Sequence, residues 1–462
     1  MPGLFGVINI GLSALFAHRD ALSVRAQNIA NADTPGYHRQ EVILGPTPPV
    51  PPAGTAEEII GGQFGTGVNV VDVYRAQESF LSIQARTCQG SLGRFRSSAE
   101  VLRQVESVLS PGPGEDISAA LDKFWDAWES VANKPENLGL RYVLRDAGVA
   151  LAETFRDEVA RINSIRLTLD DGIGARVTDV NTIAAQVAEY SRQISVAQAE
   201  GRSPNDLLDS RDVLLDKLAT LTGSMPVSSE GGLLIVYLDG RPLVQGATAY
   251  PLSIGTGAGG VEIRSGYDGA TVNVQKGEIG GLVYGRDVAI PKYLGEMNAL
   301  ASSLVAEVNT LHQSGFGLDG ATARDFFSAG STAGDIAVDP AVLADVRAIA
   351  AGETDAPGDG VIGLQIANLR TTPVINNRSL DEYAQALLGM VGTDVQTSED
   401  GAKTQQSALD QIQQLEQSVS GVSIDEELTY LTLSQRAYEA AARVVSAADE
   451  MIKTIIEQFG VS

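Results

Sequence analysis

Apolar residues recur at both ends of the chain with the spacing of a coiled coil, and this feature constrains the fold more than any other. Steps of four and three residues alternate, which is the 3.5-residue repeat of helices that bury a seam. The repeat predicts one helix from about Phe5 to about Ala30 and another that begins near Ile424. The N-terminal series is Ile8, Leu12, Leu15, Arg19, Leu22, Ala26 and Ile29, and the C-terminal series is Ile424, Leu428, Leu431, Gln435, Tyr438, Ala442, Val445, Asp449, Ile452 and Ile456.

Each terminal helix needs a partner, because a lone helix in water is marginal and most helical stability in proteins comes from burying an apolar face. We expect the two helices to pair with each other. Their flanking alanines would then allow close approach to neighbouring copies; these are Ala14, Ala17, Ala21, Ala437, Ala441 and Ala448. The pattern alone is equally compatible with a helical hairpin inside a monomeric bundle.

A rigid turn is predicted directly after the first helix, at Thr34, Pro35, Gly36 and Tyr37. Pro35 fixes its own φ and pushes Thr34 out of the helical region. Gly36 can take the positive φ that the third position of a type II turn requires. The four residues therefore predict a fixed corner in the chain.

Composition indicates a foldable chain with several domains and excludes some classes of partner. The 462 residues suggest roughly two to four domains. The net charge of −25, with no basic cluster, disfavours nucleic acid or an anionic membrane as the main partner. Cys88 stands alone, so the fold must hold without an intrachain disulfide. The N-terminal segment lacks a basic region before its spaced apolar residues, and we expect neither a cleaved signal peptide nor a membrane span.

The remaining pattern predicts a mainly α fold with an inserted β domain and a long helical stalk built from both chain termini. Helical periodicity covers roughly 77–109, 117–132, 138–169, 177–200, 289–313, 380–391 and 404–419, whereas residues 225–284 have strand and hairpin signals. Loop-rich sequence occupies 314–370. The predicted units are a terminal coiled-coil core of 1–35 plus 420–462, a helical stalk of 36–224 plus 286–419, and a small β domain of 225–285.

No constellation of residues predicts catalysis, a cofactor or a metal. His18, His38 and His312 lie far apart and begin no zinc motif, so we expect surface or seam positions for them. Cys88 has no obvious base nearby. The glycine-rich segment 61–67 matches no nucleotide-binding motif, and the proline-rich segment 46–52 predicts a stiff extended spacer. Leu121, Phe124, Trp125 and Trp128 predict one buried helical face.

Two terminal stretches resemble the signatures of bacterial flagellar rod, hook and hook-associated proteins. They are NIANADTPGYHRQ, which begins at Asn28, and SGVSIDEELTYLTLSQRAYEAAARVVSAADEMIKTI, which begins at Ser420. Three internal stretches, GTGVNVVDVYRAQESFLSIQAR, FWDAWESVANKPENLGLRYVLRDA and SPNDLLDSRDVLLDKL, narrow the resemblance to the hook-associated protein 1 family. Members of that family form the first junction between hook and filament.

The resemblance implies a structural protein of the extracellular flagellum that leaves the cytoplasm through the type III export channel without signal cleavage. It implies assembly as a homo-oligomeric ring, with the hook protein, hook-associated protein 3 and an export chaperone as partners. The core-layer contacts would come from Ile8, Leu12, Leu15, Leu22, Ile29, Leu428, Leu431, Tyr438, Val445, Ile452 and Ile456. The turn at 34–37 would direct the chain from the inner helical layer into the outer domain.

One departure and two alternatives accompany this resemblance. Longer family members carry a second outer β domain, which we expect to be absent or vestigial here because only the loop-rich 314–370 segment stands in its place. The terminal signatures are shared with hook-associated protein 3 and with hook and rod subunits, so another axial component is the nearest alternative. An enzyme displayed on the filament, using the central β region, is the alternative from another class.

Overall fold

The computed structural model describes residues 4–49, 65–228 except 111, 113 and 115, 233–257 and 260–459. It confirms a mainly α fold with a small β region in the middle of the chain. The helices are α1 (Leu4–Ala30), α2 (Ser79–Leu109), α3 (Ile117–Asn133), α4 (Leu138–Ala199), α5 (Asn205–Thr222), α6 (Gly277–Tyr284), α7 (Ile290–Ser314), α8 (Pro340–Ala344), α9 (Val361–Ala367), α10 (Leu380–Ser420) and α11 (Ile424–Phe459). The strands are β1 (Gln40–Pro46), β2 (Val68–Arg75), β3 (Met225–Ser228), β4 (Leu234–Leu238), β5 (Arg241–Gln245), β6 (Thr248–Ala249), β7 (Ser253–Gly257) and β8 (Gly260–Arg264).

Helix α4 is continuous for 62 residues, which makes it about 90 Å long. The expectation of two helices, 138–169 and 177–200, was wrong. Gly172 and Gly174 favour a break, but buried residues continue through the glycines at helical spacing, at Leu169, Ile173 and Val177. Packing along this stripe outweighs a propensity cost of about 1 kcal/mol per glycine.

Helix α10 is likewise continuous, and the predicted gap between residues 391 and 404 does not exist. Ser379 and Glu382 form a reciprocal capping box at its start. Gly401 lies against the Phe95 ring of α2, and a Cβ atom at position 401 would come within 2.7 Å of that ring. The glycine therefore permits a close helix–helix contact inside the element instead of ending it.

Two main hydrophobic cores lie along α4. The first joins α3, α7 and the start of α10 to the first half of α4 and contains Phe124, Trp125 and Trp128, each at most 1% exposed. The predicted burial of this aromatic face is confirmed. The second core joins the rest of α4 to α5 and the strands, through residues such as Val180 and Val236. Because α4 contributes to both cores, it connects the helical part of the fold to its β region.

The β region is smaller than the predicted span of 225–285. Strands β3 to β6 form an antiparallel sheet in sequential order, β7 and β8 form a separate hairpin, and residues 277–284 are helix α6. The predicted hairpin around Asp239-Gly240 is confirmed: both residues have positive φ, and Leu238 pairs with Arg241.

The loop-rich segment 314–370 contributes to the first core. Phe326 and Phe327 are fully buried beside Phe124, and Ile349 is buried as well. His312 is also buried, so the expected surface or seam position was wrong for this histidine. Its Nδ1 lies 2.7 Å from the Arg324 carbonyl oxygen, and its Nε2 accepts a hydrogen bond from the Ala350 N–H at 2.8 Å. Burial lowers the His312 pKa to about 4, so the ring is neutral at pH 7 and connects α7 to this segment.

An antiparallel ribbon of β1 and β2 lies on α1. The valines Val68, Val70 and Val73 alternate along β2, as the sequence pattern of a short strand predicts, whereas no strand was predicted at β1. Residues 46–49 of the predicted proline-rich spacer are described and begin with the last residue of β1; the rest of that spacer, and residues 61–64 of the glycine-rich segment, lie outside the described residues.

Candidate assembly site at the chain ends

The two terminal helices pair with each other and run antiparallel. Arg25, near the end of α1, forms an ion pair with Glu427 at the start of α11, with Nη1 3.0 Å from Oε1. At the other end of the pair, Gly11 lies against Val445 and the backbone of Ala441, where a Cβ atom on Gly11 would approach Val445 Cγ2 to 2.6 Å. The expected pairing of the chain ends is therefore present within one chain.

Small residues, not the predicted large ones, are buried in this pair. Among the described residues of α1 the buried ones are Gly11, Ala17, Ala21 and Asn28, and on α11 they are Glu427, Ala441 and Ala448. Four of the six alanines expected to face neighbouring copies are instead buried within one chain, namely Ala17, Ala21, Ala441 and Ala448. The two helix backbones approach each other closely, and this explains why small residues are buried in place of the predicted large ones. Glycine and alanine fit between helices in close contact, whereas a row of leucines does not.

The predicted interface residues lie at the margins of this pair or outside it. Four of them are exposed: Leu12 (36%), Tyr438 (38%), Leu428 (48%) and Ile456 (62%). The other seven are half-buried, namely Ile8, Leu15, Leu22, Ile29, Leu431, Val445 and Ile452. Large apolar side chains outside the two predicted series are exposed as well, including Phe5, Phe16, Leu433, Met451 and Ile455. The single chain therefore presents a large apolar surface on its terminal pair.

Residues 34–37 form a tight turn. The Tyr37 N–H donates to the Thr34 carbonyl oxygen at 3.1 Å, and Gly36 has a φ of +79°. Helix α1 itself ends earlier, at Ala30. A side chain at position 36 would also collide with Val213 of α5, whose Cγ2 would lie 2.4 Å from the added Cβ. Glycine is thus required here both by the backbone conformation and by the contact with α5.

Asn28, the first residue of the N-terminal signature, holds the chain after the turn. Its side chain is fully buried, donates from Nδ2 to the Gln40 carbonyl oxygen at 2.9 Å, and accepts from the Gln40 N–H at 3.0 Å. The Tyr37 hydroxyl donates to the same Asn28 oxygen at 2.8 Å. Because one amide group satisfies both backbone groups of Gln40, it fixes the start of β1 against α1. Nothing in the local sequence pattern around Asn28 indicates this role.

Helix α5 carries four carboxylates on one face, which we call the acidic ladder (Asp206, Asp209, Asp212 and Asp216). Side chains from α1, from the residues after the turn, from the ribbon and from α2 contact the ladder. Asp206 accepts from Gln27 and Gln40, Asp209 contacts both His38 and Arg75, and Asp212 and Asp216 pair with Arg86. Their spacing of three, three and four residues was a readable signal within SPNDLLDSRDVLLDKL that we did not use.

The electrostatics of this joint follow from burial and pairing. Burial raises the pKa of Tyr37, and the carboxylates of Asp206, Asp209 and Glu427 raise it further, so the phenol stays protonated. Burial alone would raise the pKa of Asp212, but Arg75 and Arg86 bring it below its usual value. Asp212 is therefore ionised at neutral pH and holds Arg75 of β2 and Arg86 of α2 by charged hydrogen bonds.

Two other kinds of feature, a membrane-spanning helix and a metal-binding group of side chains, are absent from the described residues. None of the described helices is long and apolar enough to cross a membrane. No group of three or more histidine, cysteine, aspartate or glutamate side chains in the same residues could hold a metal ion.

Comparisons with known proteins agree with this architecture along the chain. Residues 102–327 match the flagellar hook-associated protein FlgK helical domain. Residues 8–38 match the flagella basal body rod protein family, and residues 413–458 match the flagellar basal body rod FlgEFG protein C-terminal family. The two rod-type matches cover α1 with its turn, and α11.

Relatives match nearly the whole chain. Flagellar hook-associated protein 1 of Bacillus subtilis is 29% identical over 504 residues, covering 100% of this chain and 99% of that protein. Its namesake in Escherichia coli is 24% identical and covers 97% of this chain and 99% of that protein. The flagellar hook junction protein FlgK from Burkholderia pseudomallei has a similar fold, with a TM-score of 0.65 at 16% identity over 73% of this chain and 100% of that structure. Along nearly its whole length, therefore, the chain is similar to flagellar hook-associated protein 1.

Proposed function

We propose that this protein is a structural adaptor that joins the hook of the bacterial flagellum to its filament, assembled as a ring of identical copies. The observation that carries the proposal is the apolar surface of the terminal pair. Helices α1 and α11 bury small residues against each other and leave Leu12, Phe16, Leu428 and Ile456 exposed. Covering this surface with the terminal pairs of neighbouring copies would remove it from water.

The proposed partners follow from the family together with the shape of the chain. The hook protein would lie on one side of the ring and hook-associated protein 3 on the other, and an export chaperone would bind the chain before export. Export through the type III channel without signal cleavage agrees with the disulfide-free composition, because the single cysteine is Cys88.

The turn at 34–37 and the acidic ladder set the direction in which the stalk leaves the terminal pair. A fixed angle matters for an adaptor, since the same rigid body must meet a hook that bends and a filament that is stiffer. Several independent polar contacts would fix this angle, namely those of Asn28, His38 and Arg75 with their partners.

The role proposed here is mechanical rather than enzymatic. Among the alternatives, another axial component shares the two rod-type matches at the chain ends, but the FlgK helical-domain match over residues 102–327 favours the junction protein. An enzyme in the β region would need convergent ionisable groups there. The buried ion pairs of Arg75 with Asp209 and of Arg86 with Asp212 lie instead at the joint between the ladder and the chain ends.

Single charges on the exposed face of the terminal pair test the proposal. Cells lacking the native copy would express the chain with Leu12→Asp or with Leu428→Asp, and filament growth on their hooks would be counted by electron microscopy. Both variants should fold but abolish filaments, because each places a charge in the proposed contact between copies. Deletion of residues 1–30 should have the same effect while leaving the stalk folded.

Leu167→Asp is the matched control, because Leu167 is 68% exposed on α4 and lies outside the proposed core layer. Its filaments should grow normally. Normal filament growth with either terminal variant would overturn the proposal.

A further inference from the structure

The terminal helix pair contains one feature that the adaptor role does not explain, a buried ion pair. Glu427 is completely buried and the Arg25 side chain is 15% exposed, whereas the other buried residues of the pair are glycine, alanine and Asn28. Among the described residues of α1 and α11, no other ion pair joins the two helices. The Arg25 guanidinium also stacks on the Tyr430 ring, 4.8 Å from its centroid.

The small-residue contacts between α1 and α11 do not by themselves determine how the two helices align lengthwise. On α11 the residues Ser434, Ala441 and Ala448 follow one another at seven-residue intervals. If α11 slid by one heptad, Gly11 would meet Ala448 or Ser434 in place of Ala441, and a small residue would again face a small residue. The large side chains of the repeat, such as Tyr438, Val445 and Ile452, also lie seven residues apart. After the same slip, each would be replaced at its contact by another apolar side chain of the series.

The ion pair does distinguish these alignments. Arg25 lies at Glu427 and Gly11 lies at Ala441, so fourteen residues separate the two contacts on each helix. In one slipped alignment Arg25 would face Ser434, and Glu427 would lie beyond the end of α1 at Ala30. In the other, Arg25 would face Ser420, which belongs to α10. Both alignments would leave a charge without its partner, at a cost far above that of exchanging small residues.

We propose that Arg25 and Glu427 are the register pin of the terminal helix pair, the two residues that select one lengthwise alignment of α1 against α11. Their value lies in specificity and not in net stability, since a buried ion pair gains little over apolar residues of similar size. The proposal concerns contacts within one chain and goes beyond the adaptor function. The consequence for assembly is that every copy would present the same apolar surface to its neighbours.

Cross-linking in the purified full-length chain measures the alignment directly. All variants carry Cys88→Ser. The native alignment is reported by His18→Cys with Ser434→Cys, because these positions lie midway between the two observed contacts. A slip of one heptad is reported by His18→Cys with Ala441→Cys, since seven residues correspond to about 10 Å along a helix. A short bis-maleimide then links whichever pair is adjacent, and the intrachain product is quantified by gel mobility and peptide mapping.

With Arg25 and Glu427 intact, the native reporter should exceed the slipped one by at least about tenfold, the ratio that a 1.4 kcal/mol difference gives. The double variant Arg25→Met with Glu427→Met should keep the pair but bring the ratio near one. The charge swap, Arg25→Glu with Glu427→Arg, should restore the native preference. Arg19→Met with Asp20→Met, at an exposed ion pair on α1, is the matched control and should leave the ratio unchanged.

If the double methionine variant still favours the native alignment, the proposal is overturned. If the double methionine variant does not fold, the charge-swap variant decides: its failure to restore the native preference would also overturn the proposal. Equal yields from the two reporters in the unaltered pair would overturn it as well. Filament growth is not part of this measurement. The register pin and the adaptor function therefore fail separately.

Discussion

At the scale of single residues, the close approach of α1 and α11 at Gly11 determines which side chains the helix pair can bury. The predicted N-terminal seam of Leu12, Leu15 and Leu22 lies one position away from the buried series of Gly11 and Ala21. A 3.5-residue repeat is satisfied equally well by two adjacent stripes. Only the separation of the two backbones, which one sequence does not reveal, decides between the stripe of leucines and the stripe of small residues.

Buried polar residues were the other gap at this scale. Asn28, His312 and Glu427 are each completely buried and hydrogen-bonded to groups distant in sequence or on another element. A histidine or glutamate is usually found at the surface, and nothing local marked these three as exceptions. The acidic ladder was different, because its spacing was visible in the sequence and could have been interpreted as one charged helical face.

Glu158 gives a residue-scale prediction about stability and pH. It is 4% exposed on α4, and burial, helped by the carboxylate of Asp116, raises its pKa to about 8. In the unfolded chain the Glu158 carboxyl group ionises near pH 4.5. Between pH 4.5 and 8, therefore, Glu158 is protonated in the folded state and ionised in the unfolded state. The free energy of unfolding therefore falls as pH rises through this window.

We expect Glu158→Gln to be more stable than the unaltered chain at pH 7, by on the order of 2 kcal/mol, because the neutral amide removes this linkage. The difference should shrink towards pH 5. Urea denaturation at both pH values measures it, with Glu153→Gln, exposed on the same helix, as the control. A gain that is the same at pH 5 and pH 7 would contradict the assigned pKa.

At the scale of elements, helices were predicted well where an apolar stripe continued and poorly where glycines interrupted it. The limits of α1, α2, α3 and α11 agree with the sequence pattern within a few residues. The errors in α4 and α10 have one cause, since glycine lowers local helix propensity while packing on both sides keeps the helix intact. The strand β1 was missed because Val42, Ile43 and Leu44 form a short apolar run without alternation.

Gly172→Ala tests whether α4 is one continuous element. A Cβ at this position would be 3.7 Å from Leu282 Cδ1, which is an ordinary contact, so alanine fits without rearrangement. We expect the substitution to raise the free energy of unfolding by about 0.5–1 kcal/mol through helix propensity alone. Thermal and urea unfolding measure this change.

Gly223→Ala is the contrasting variant, because Gly223 ends α5 with a φ of +68° and a Cβ there would lie 2.3 Å from Lys276 Cβ. It should be destabilised. If Gly172→Ala also lost stability, a turn between two helices would describe the region better than one continuous helix.

At the scale of the whole molecule, stability is unevenly distributed between the stalk and the chain ends. Helix α7 has 25 residues, ten of them buried, whereas α1 has 27 residues and four buried ones, all small or polar. Apolar burial supplies most of the free energy that holds a helix in place. Opening the terminal pair in an isolated chain should therefore cost much less than opening the stalk, and the difference would be made up when copies assemble.

Hydrogen exchange of the purified monomer tests this imbalance. Amides of α1 and α11 should exchange much faster than those of α3 and α7, because local opening of the terminal pair exposes little apolar surface that was buried before. In assembled flagella the same amides should become protected, since neighbouring copies would cover Leu12, Phe16 and Leu428. Helix α7 is the internal control, and its exchange should not change on assembly. Equal protection of α1 and α7 in a verified monomer would mean that the ends form a self-sufficient bundle, and the exposed apolar face would then need another explanation.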